Sequence, residues 1–209
     1  MNQLTIGGIV TNSIQLALKN GLSVVGAVIL WAITIWIPYL NVGTTIALIG
    51  MVVAISKGDV VSPTEIFDAK YRRNMGEFFL LFAFLQMGII AGFIFIIIPG
   101  IVISLAWGQS IYLLIDKNMN PTEAISTSNK ITYGKKWTIF FGNLIIGIGG
   151  YVAIFLIGLI ITQISAGLAA IASLCLIILL SIVLMSASAY IYGELSKQLD
   201  EPEKQIKTD

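Results

Sequence analysis

Residues 78–115 read FFLLFAFLQMGIIAGFIFIIIPGIVISLAWGQSIYLLI, which is 38 consecutive residues without a charged side chain. Two further uncharged stretches, residues 20–56 and 137–193, contain 37 and 57 residues. A spanning helix needs about 20 apolar residues, each rising about 1.5 Å, to cross a hydrocarbon core of about 30 Å. Each stretch is therefore too long for one span and predicts a helical hairpin.

The composition also favours a membrane protein. Of the 209 residues, 57% are hydrophobic and 11% are charged, and the mean hydropathy of +0.93 exceeds that of soluble domains. The net charge of +1 gives no reason to expect a nucleic-acid partner. The chain has no histidine and a single cysteine, Cys175, so we expect no transition-metal site and no intramolecular disulfide.

Helix-breaking residues divide each stretch, at Pro38 to Asn41, at Pro99 with Gly100, and at residues 163–167. The predicted fold class is all-α integral membrane, with six transmembrane helices as three hairpins in a single domain, residues 1–193. A charged cytoplasmic tail, residues 194–209, follows. The predicted spans are about 21–37, 40–56, 78–97, 100–115, 137–163 and 167–192.

The positions of the charges predict the orientation. Charged residues occur at Lys19, within residues 57–77 and 116–136, and from Glu194 onward. Three hairpins place all these segments on one side of the bilayer. Because short loops rich in Lys and Arg stay cytoplasmic, we expect both termini in the cytoplasm.

A capping motif occurs twice, as SPTEI at residues 62–66 and NPTEA at residues 120–124. Each copy has a capping residue, then proline at the first helical position and glutamate at the third, which predicts the start of a short helix. Capping accounts for both glutamates without a catalytic role. We expect an internal repeat in which a short interfacial amphipathic helix precedes each hairpin. The N-terminal segment before Gly21 is predicted to be a third, diverged copy.

Six basic residues lie at the ends of the second and third short helices, where anionic headgroups are close. An orientation signal is the ordinary explanation for these charges, and a specific contact with lipid headgroups is the alternative. These residues are Lys70, Arg72, Arg73, Lys130, Lys135 and Lys136.

Two glutamines fall at nearly equal predicted depth on adjacent helices, Gln86 before the Pro99 turn and Gln109 after it. They are a candidate polar pair, with a contact to substrate or lipid in a central cavity as the alternative. Gly88 with Gly92, and the glycines within residues 147–150, predict close helix packing. A glycine-lined groove is the other interpretation of those positions.

A Pro-Gly turn at residues 99–100 is followed by the NPTEA helix with Ser128, and then by Gly134 before the next span. This pattern resembles the membrane domain found with some bacterial glycerophosphoryl diester phosphodiesterases and in YciC-like inner-membrane proteins. The resemblance implies a multi-pass protein of the bacterial plasma (inner) membrane with a loose link to lipids. The soluble phosphodiesterase domain of such proteins has no counterpart here, so hydrolysis is not implied.

The uncharged stretches contain no ionisable pair that would couple ions, and no nucleophile beside an activating base. We therefore expect no catalytic residue and no cofactor. The predicted function is a non-enzymatic envelope protein that interacts with membrane lipids, maintains the envelope or protects against peptides. The alternative is a permease, a channel or the membrane subunit of a transport complex, with a membrane or ATPase partner.

Overall fold

The computed structural model describes residues 4–206, and side chains are described for residues 4–199. Within this range the chain is helical and contains no strand, and two short 3₁₀-helices, Pro63–Phe67 and Ala69–Arg72, accompany eight α-helices. The α-helices are α1 (Ile6–Thr34), α2 (Leu40–Ser56), α3 (Met75–Phe95), α4 (Ile97–Trp107), α5 (Ser110–Lys117), α6 (Pro121–Ile131), α7 (Lys136–Thr162) and α8 (Ala166–Ile206).

Five helical segments are long and apolar enough to cross a membrane, namely α1, α3, α4 together with α5, α7, and α8 to Leu199. Helix α2 is equally apolar but has only 17 residues. Large apolar side chains are exposed on α3, α7, α8 and the turn between α7 and α8, where Phe95 on α3 is 82% exposed and Ile164 in the turn is 78% exposed. Exposing such surface to water costs about 25 cal/mol per Å², whereas lipid tails cover it readily. The chain is a multi-pass membrane protein by these criteria.

Two of the three predicted breaks are confirmed, because α1 ends at Thr34 before α2 and α7 ends at Thr162 before α8. The second break lies at Ile96, which is extended (φ −161°, ψ 148°), and not at Pro99 with Gly100. Pro99 is the third residue of α4. Proline is tolerated there because the first N–H groups of a helix have no intrahelical acceptor.

The predicted separate N-terminal interfacial helix is wrong. Helix α1 is continuous through Gly21, from its cap at Thr5, whose side chain accepts a hydrogen bond from the Gly8 N–H at 3.1 Å. A glycine inside a helix costs about 1 kcal/mol relative to alanine, which tertiary packing easily offsets. Helix α1 packs along α8 over much of its length, and this contact stabilises one continuous helix in place of the predicted interfacial helix and first span.

The two capping motifs adopt different structures. At the first, the Ser62 N–H donates to Glu65 Oε1 at 2.9 Å, but only a 3₁₀-helix follows. At the second, Asn120 Oδ1 accepts from the Glu123 N–H at 2.9 Å, and the 11-residue helix α6 follows. The predicted caps are therefore confirmed, whereas a short α-helix is confirmed only for the second copy.

The segment between α2 and α3 runs back along the helices instead of staying beyond the end of α2. A Cβ added at Gly50 would lie 2.1 Å from Tyr71 Cε1, so only glycine leaves room for this ring. Glycines thus form a groove for the segment: Pro63 lies against Gly26, Tyr71 against Gly50 and Arg72 against Gly43.

This groove changes the predicted placement of the first basic cluster. Gly43 is about 20 Å from Ser56, the end of α2, by the rise of about 1.5 Å per residue. Arg72 therefore lies beside α2 and not past its C-terminal end. The prediction that Arg72 lies at the end of a short interfacial helix, beyond the spans, does not hold.

Helix α2 is the most central element of the bundle. Nine of its 17 residues are buried, among them Ile46, Met51 and Ile55, and it contacts α1, α5 and α8. Helix α8 does not end at the predicted tail boundary, because it continues from the apolar region to Ile206. The first part of the predicted tail is thus an extension of the last helix.

Candidate functional site

The turn between α6 and α7, residues 130–137, combines positive charge with exposed aromatic rings, and we call it the basic turn. Its backbone reverses at Gly134, whose φ of 73° is a conformation that glycine adopts without steric cost. Tyr133 is 82% exposed and Trp137 is 55% exposed. Its cations are Lys130, Lys135 and Lys136.

Among the side chains described for residues 4–199, no carboxylate neutralises the charge of the basic turn. Lys136 Nζ donates to Asn129 Oδ1 at 3.0 Å, which leaves its charge uncompensated. Among the side chains of residues 4–199, no carboxylate forms an ion pair with any of the three lysines. The sequence contains no acidic residue between Glu123 and Glu194. The turn therefore presents three positive charges together with interfacial aromatic rings.

In the other predicted basic cluster, Lys70 is the one cation that forms an ion pair within residues 4–199. Lys70 Nζ lies 3.1 Å from Asp68 Oδ2 and 4.9 Å from the centre of the Tyr71 ring. The backbone N–H and ammonium of Lys70 hold the pKa of Asp68 below its usual value, and Asp68 raises the pKa of Lys70. Burial raises the pKa of Tyr71. Arg72 packs its stem on Gly43, so this cluster is less available to a headgroup than the basic turn.

The third cation of that cluster, Arg73, lines a cavity of about 240 Å³ with Asn74 and Asn118. Asn74 Nδ2 donates to Asn118 Oδ1 at 3.0 Å, which joins the start of α3 to the end of α5. Asn118 is in the left-handed region (φ 51°), which asparagine tolerates better than most residues. This contact fixes the ends of the two helices relative to each other.

The structure does not bring Gln86 and Gln109 together. Gln86 is exposed on α3, whereas Gln109 is buried, and its Oε1 has no hydrogen-bond partner among the described residues. Helix α3 meets α4 through Gly88, where an added Cβ would lie 2.0 Å from the Trp107 ring. Gln86 precedes Gly88 by two residues, which corresponds to about 200° of rotation around α3, so Gln86 faces away from this contact. Equal depth was insufficient because the rotation of each helix decides which side chains meet.

The glycine predictions have different outcomes at different positions. Gly88 and Gly92 confirm close packing, because a Cβ at Gly92 would lie 3.0 Å from Gly100 Cα. Gly150 confirms it as well, because an added Cβ would lie 2.4 Å from Leu180 Cδ1 on α8. Gly147 and Gly149 have no atom within 4 Å of an added Cβ, so these two positions face open space.

Sequence reasoning missed a break between α4 and α5, at Gly108 and Gln109. Ser128 of α6 satisfies the interrupted backbone: its Oγ donates to the Ala106 carbonyl at 2.6 Å and accepts from the Gln109 N–H at 3.2 Å. Thr132 Oγ1 donates to the Ser128 carbonyl at 2.8 Å. The serine of the NPTEA helix therefore supports a broken helix. No sequence signal shows which backbone groups it reaches.

A buried charge was also missed. The Asp116 side chain is 3% exposed, it forms an ion pair with Lys57, and it accepts a hydrogen bond from the Tyr192 hydroxyl at 2.6 Å. Tyr192 is fully buried, whereas the Lys57 side chain is 56% exposed. The contact ties the end of α2 to α5 and α8. All three residues are far apart in sequence, so no local pattern indicates it.

Within residues 4–206, no group of three or more Cys, Asp or Glu side chains is arranged to hold a metal ion. Comparisons with protein-family models, with curated proteins and with solved structures gave no match.

Proposed function

We infer that this chain is a non-enzymatic multi-pass membrane protein whose basic turn binds anionic lipid headgroups. The observation that carries the inference is that Lys130, Lys135 and Lys136 form no ion pair with any side chain of residues 4–199 and lie beside the exposed rings of Tyr133 and Trp137. Aromatic rings of this kind settle at the headgroup level, and each nearby lysine contributes about 1 kcal/mol of attraction to an anionic surface.

The test compares lipid retention in two triple variants. We expect replacement of Lys130, Lys135 and Lys136 by glutamine to weaken binding of phosphatidylglycerol relative to phosphatidylcholine by roughly 100-fold, from about 1 kcal/mol for each lysine. Native mass spectrometry of the protein released from mixed-lipid nanodiscs measures this ratio.

The matched control removes the same charge from the other cluster, by replacing Lys70, Arg72 and Arg73 with glutamine. Lys70 already pairs with Asp68 and the stem of Arg72 packs on Gly43, so this variant should lose less anionic lipid. Equal losses in both variants would mean that net charge alone governs retention. No loss in the first variant would refute the proposal. Stoichiometric co-purification of an ATPase would instead favour the membrane subunit of a transport complex.

The proposal includes the bacterial plasma (inner) membrane as the location, with both termini in the cytoplasm. Support comes from the basic turn, since short Lys-rich loops stay cytoplasmic. With Cys175 replaced, single cysteines at Asn41 or Ser165 should react with an impermeant thiol reagent applied to intact cells, and one at Asn118 should not. Reaction at Asn118 would reverse the assignment of sides.

A further inference from the structure

A polar recess of about 290 Å³ lies where α1, the end of α2 and α8 meet. Its walls include Ser56 and Gly58 at the end of α2 and Glu194 after the apolar part of α8, which is the expected depth of lipid headgroups. The basic turn contributes no residue to the recess. The polar residues that line it are Asn12, Gln15, Lys19, Ser56, Tyr190, Glu194 and Lys197.

The recess contains charges of both signs. Glu194 has a side chain that is only 13% exposed, and it forms an ion pair with Lys197, which is 62% exposed. Lys19 Nζ donates to the Gly58 carbonyl at 2.8 Å, and this bond uses one of its three donors. A shielded carboxylate and two ammonium groups with unused donors therefore share one small space.

Neutral polar groups complete the recess. Asn12 Nδ2 donates to the Gly8 carbonyl at 2.7 Å, which leaves its Oδ1 available as an acceptor. The Gln15 amide and the Tyr190 hydroxyl make no hydrogen bond within the described part of the chain. A ligand in the recess thus meets both donors and acceptors that the protein leaves unused.

An apolar ridge on α1 adjoins the recess. Ile14 is 46% exposed, Leu18 is 82% exposed and Leu22 is 89% exposed, and their spacing of four places them along one side of the helix. Leu18 precedes Lys19 directly, so the ridge begins beside the charged wall of the recess. A polar recess next to an exposed apolar ridge suits an amphiphile and not a free ion.

We propose that the recess binds the phosphoethanolamine headgroup of a membrane lipid, whose acyl chains lie along the Ile14–Leu22 ridge. The phosphate accepts hydrogen bonds from Lys19 and Lys197, and the primary ammonium donates to Glu194 and Asn12 Oδ1. A choline headgroup has no N–H to donate, and a glycerol headgroup has no cation for Glu194. The recess therefore selects phosphatidylethanolamine over both.

The experiment measures binding of short-chain phosphatidylethanolamine, phosphatidylcholine and phosphatidylglycerol with identical acyl chains to the delipidated full chain in detergent. We expect phosphatidylethanolamine to bind about tenfold more tightly than phosphatidylcholine, because a hydrogen bond to a charged group distinguishes them. Glu194→Gln should remove this preference without weakening the binding of phosphatidylglycerol. Lys19→Gln should weaken the binding of all three lipids by a similar factor, because each carries the phosphate that Lys19 contacts. Equal binding of the ethanolamine and choline lipids would overturn the proposal.

Two further arms make the result decisive. Soluble O-phosphoethanolamine should bind far more weakly than the lipid, and equal binding would show that the ligand is a free phosphorylated amine. Lys130→Gln, in the basic turn, should leave the ethanolamine preference unchanged, so this proposal and the proposed function can fail separately. If Glu194→Gln lowers the thermal stability, Gln15→Leu provides a second recess variant. Retention of full affinity in Gln15→Leu together with Lys19→Gln would exclude the recess.

Discussion

The buried contact among Lys57, Asp116 and Tyr192 gives the sharpest stability prediction. We consider Tyr192→Phe, which removes one hydroxyl from a side chain with no exposed surface. In the native chain this hydroxyl donates to Asp116 Oδ2 at 2.6 Å. The variant keeps the ring and its contact with Tyr112, whose ring centre lies 5.4 Å away. The carboxylate then depends on Lys57 alone.

The expected loss follows from the charge and the burial of the acceptor. A hydrogen bond to a charged group contributes about 1.5–3 kcal/mol, and we expect Tyr192→Phe to lower the free energy of unfolding by about 2 kcal/mol. Breaking a fully buried ion pair costs about 3–5 kcal/mol. Because the Lys57 side chain is 56% exposed, water screens that pair, and we expect a smaller loss of about 1–2 kcal/mol for Lys57→Met.

The assay is reversible unfolding in mixed detergent micelles, followed by far-UV circular dichroism. A double-mutant cycle between Tyr192→Phe and Asp116→Asn should give a coupling of about 1 kcal/mol or more, since the two residues share one hydrogen bond. Tyr151→Phe is the matched control, because that tyrosine is 60% exposed on α7. It should change the stability by less than about 0.5 kcal/mol.

A coupling below about 0.3 kcal/mol would refute the reasoning, because the hydroxyl and the carboxylate would then act independently. A loss in Tyr151→Phe equal to that in Tyr192→Phe would refute it in another way. In that case the effect would belong to tyrosine hydroxyls in general and not to this buried contact.

Three further predictions concern the stability of the bundle. Ser128→Ala removes the side-chain partner of the buried Gln109 N–H and leaves the Ala106 carbonyl with a longer hydrogen bond of 3.4 Å from Thr132 Oγ1. It should cost about 2 kcal/mol in detergent unfolding, whereas Ser126→Ala, at an exposed position of the same helix, should be nearly neutral. Gly50→Ala should displace the Tyr71 ring from its groove, which should lower the free energy of unfolding by about 1–3 kcal/mol and lower the melting temperature. Gly149→Ala has open space around the new methyl group and should not destabilise the chain. The third prediction concerns pH, because the pKa of Asp68 is lower in the folded chain than in the unfolded chain, where it is about 3.9. The stability that Asp68 contributes is therefore complete above the unfolded pKa and is lost as the pH falls through the folded pKa. The melting temperatures of the native chain and of Asp68→Asn should converge in strong acid.

The candidate lipid site was only partly accessible to sequence reasoning. Both basic clusters were identified from their charge alone, and nothing local distinguished them. The structure separates them, since Lys70 pairs with Asp68 while the basic turn has no ion pair within residues 4–199. The recess at Lys19 and Glu194 could not be predicted, because its walls come from three helices whose relative rotation the sequence leaves open.

Local signals in the sequence were sufficient for the class of fold. Three long uncharged stretches require helices in a bilayer, since unpaired backbone groups are costly there. The turns before α2 and α8, and the caps at Ser62 and Asn120, also follow from residues close in sequence. These features depend on hydropathy and on hydrogen bonds within a few residues.

The tertiary structure alone decided how the helices meet. The Asp116 contacts join residues 59 and 76 positions apart, and the glycine groove depends on the shapes of three separate segments. Such contacts are set by packing, which rejects an overlap of even one methyl group. Hydropathy measures how apolar a helix is, but it does not show which side of the helix faces its neighbours. For that reason the sequence predicted the membrane helices, whereas only the packed bundle showed which polar groups are buried and which remain open to a ligand.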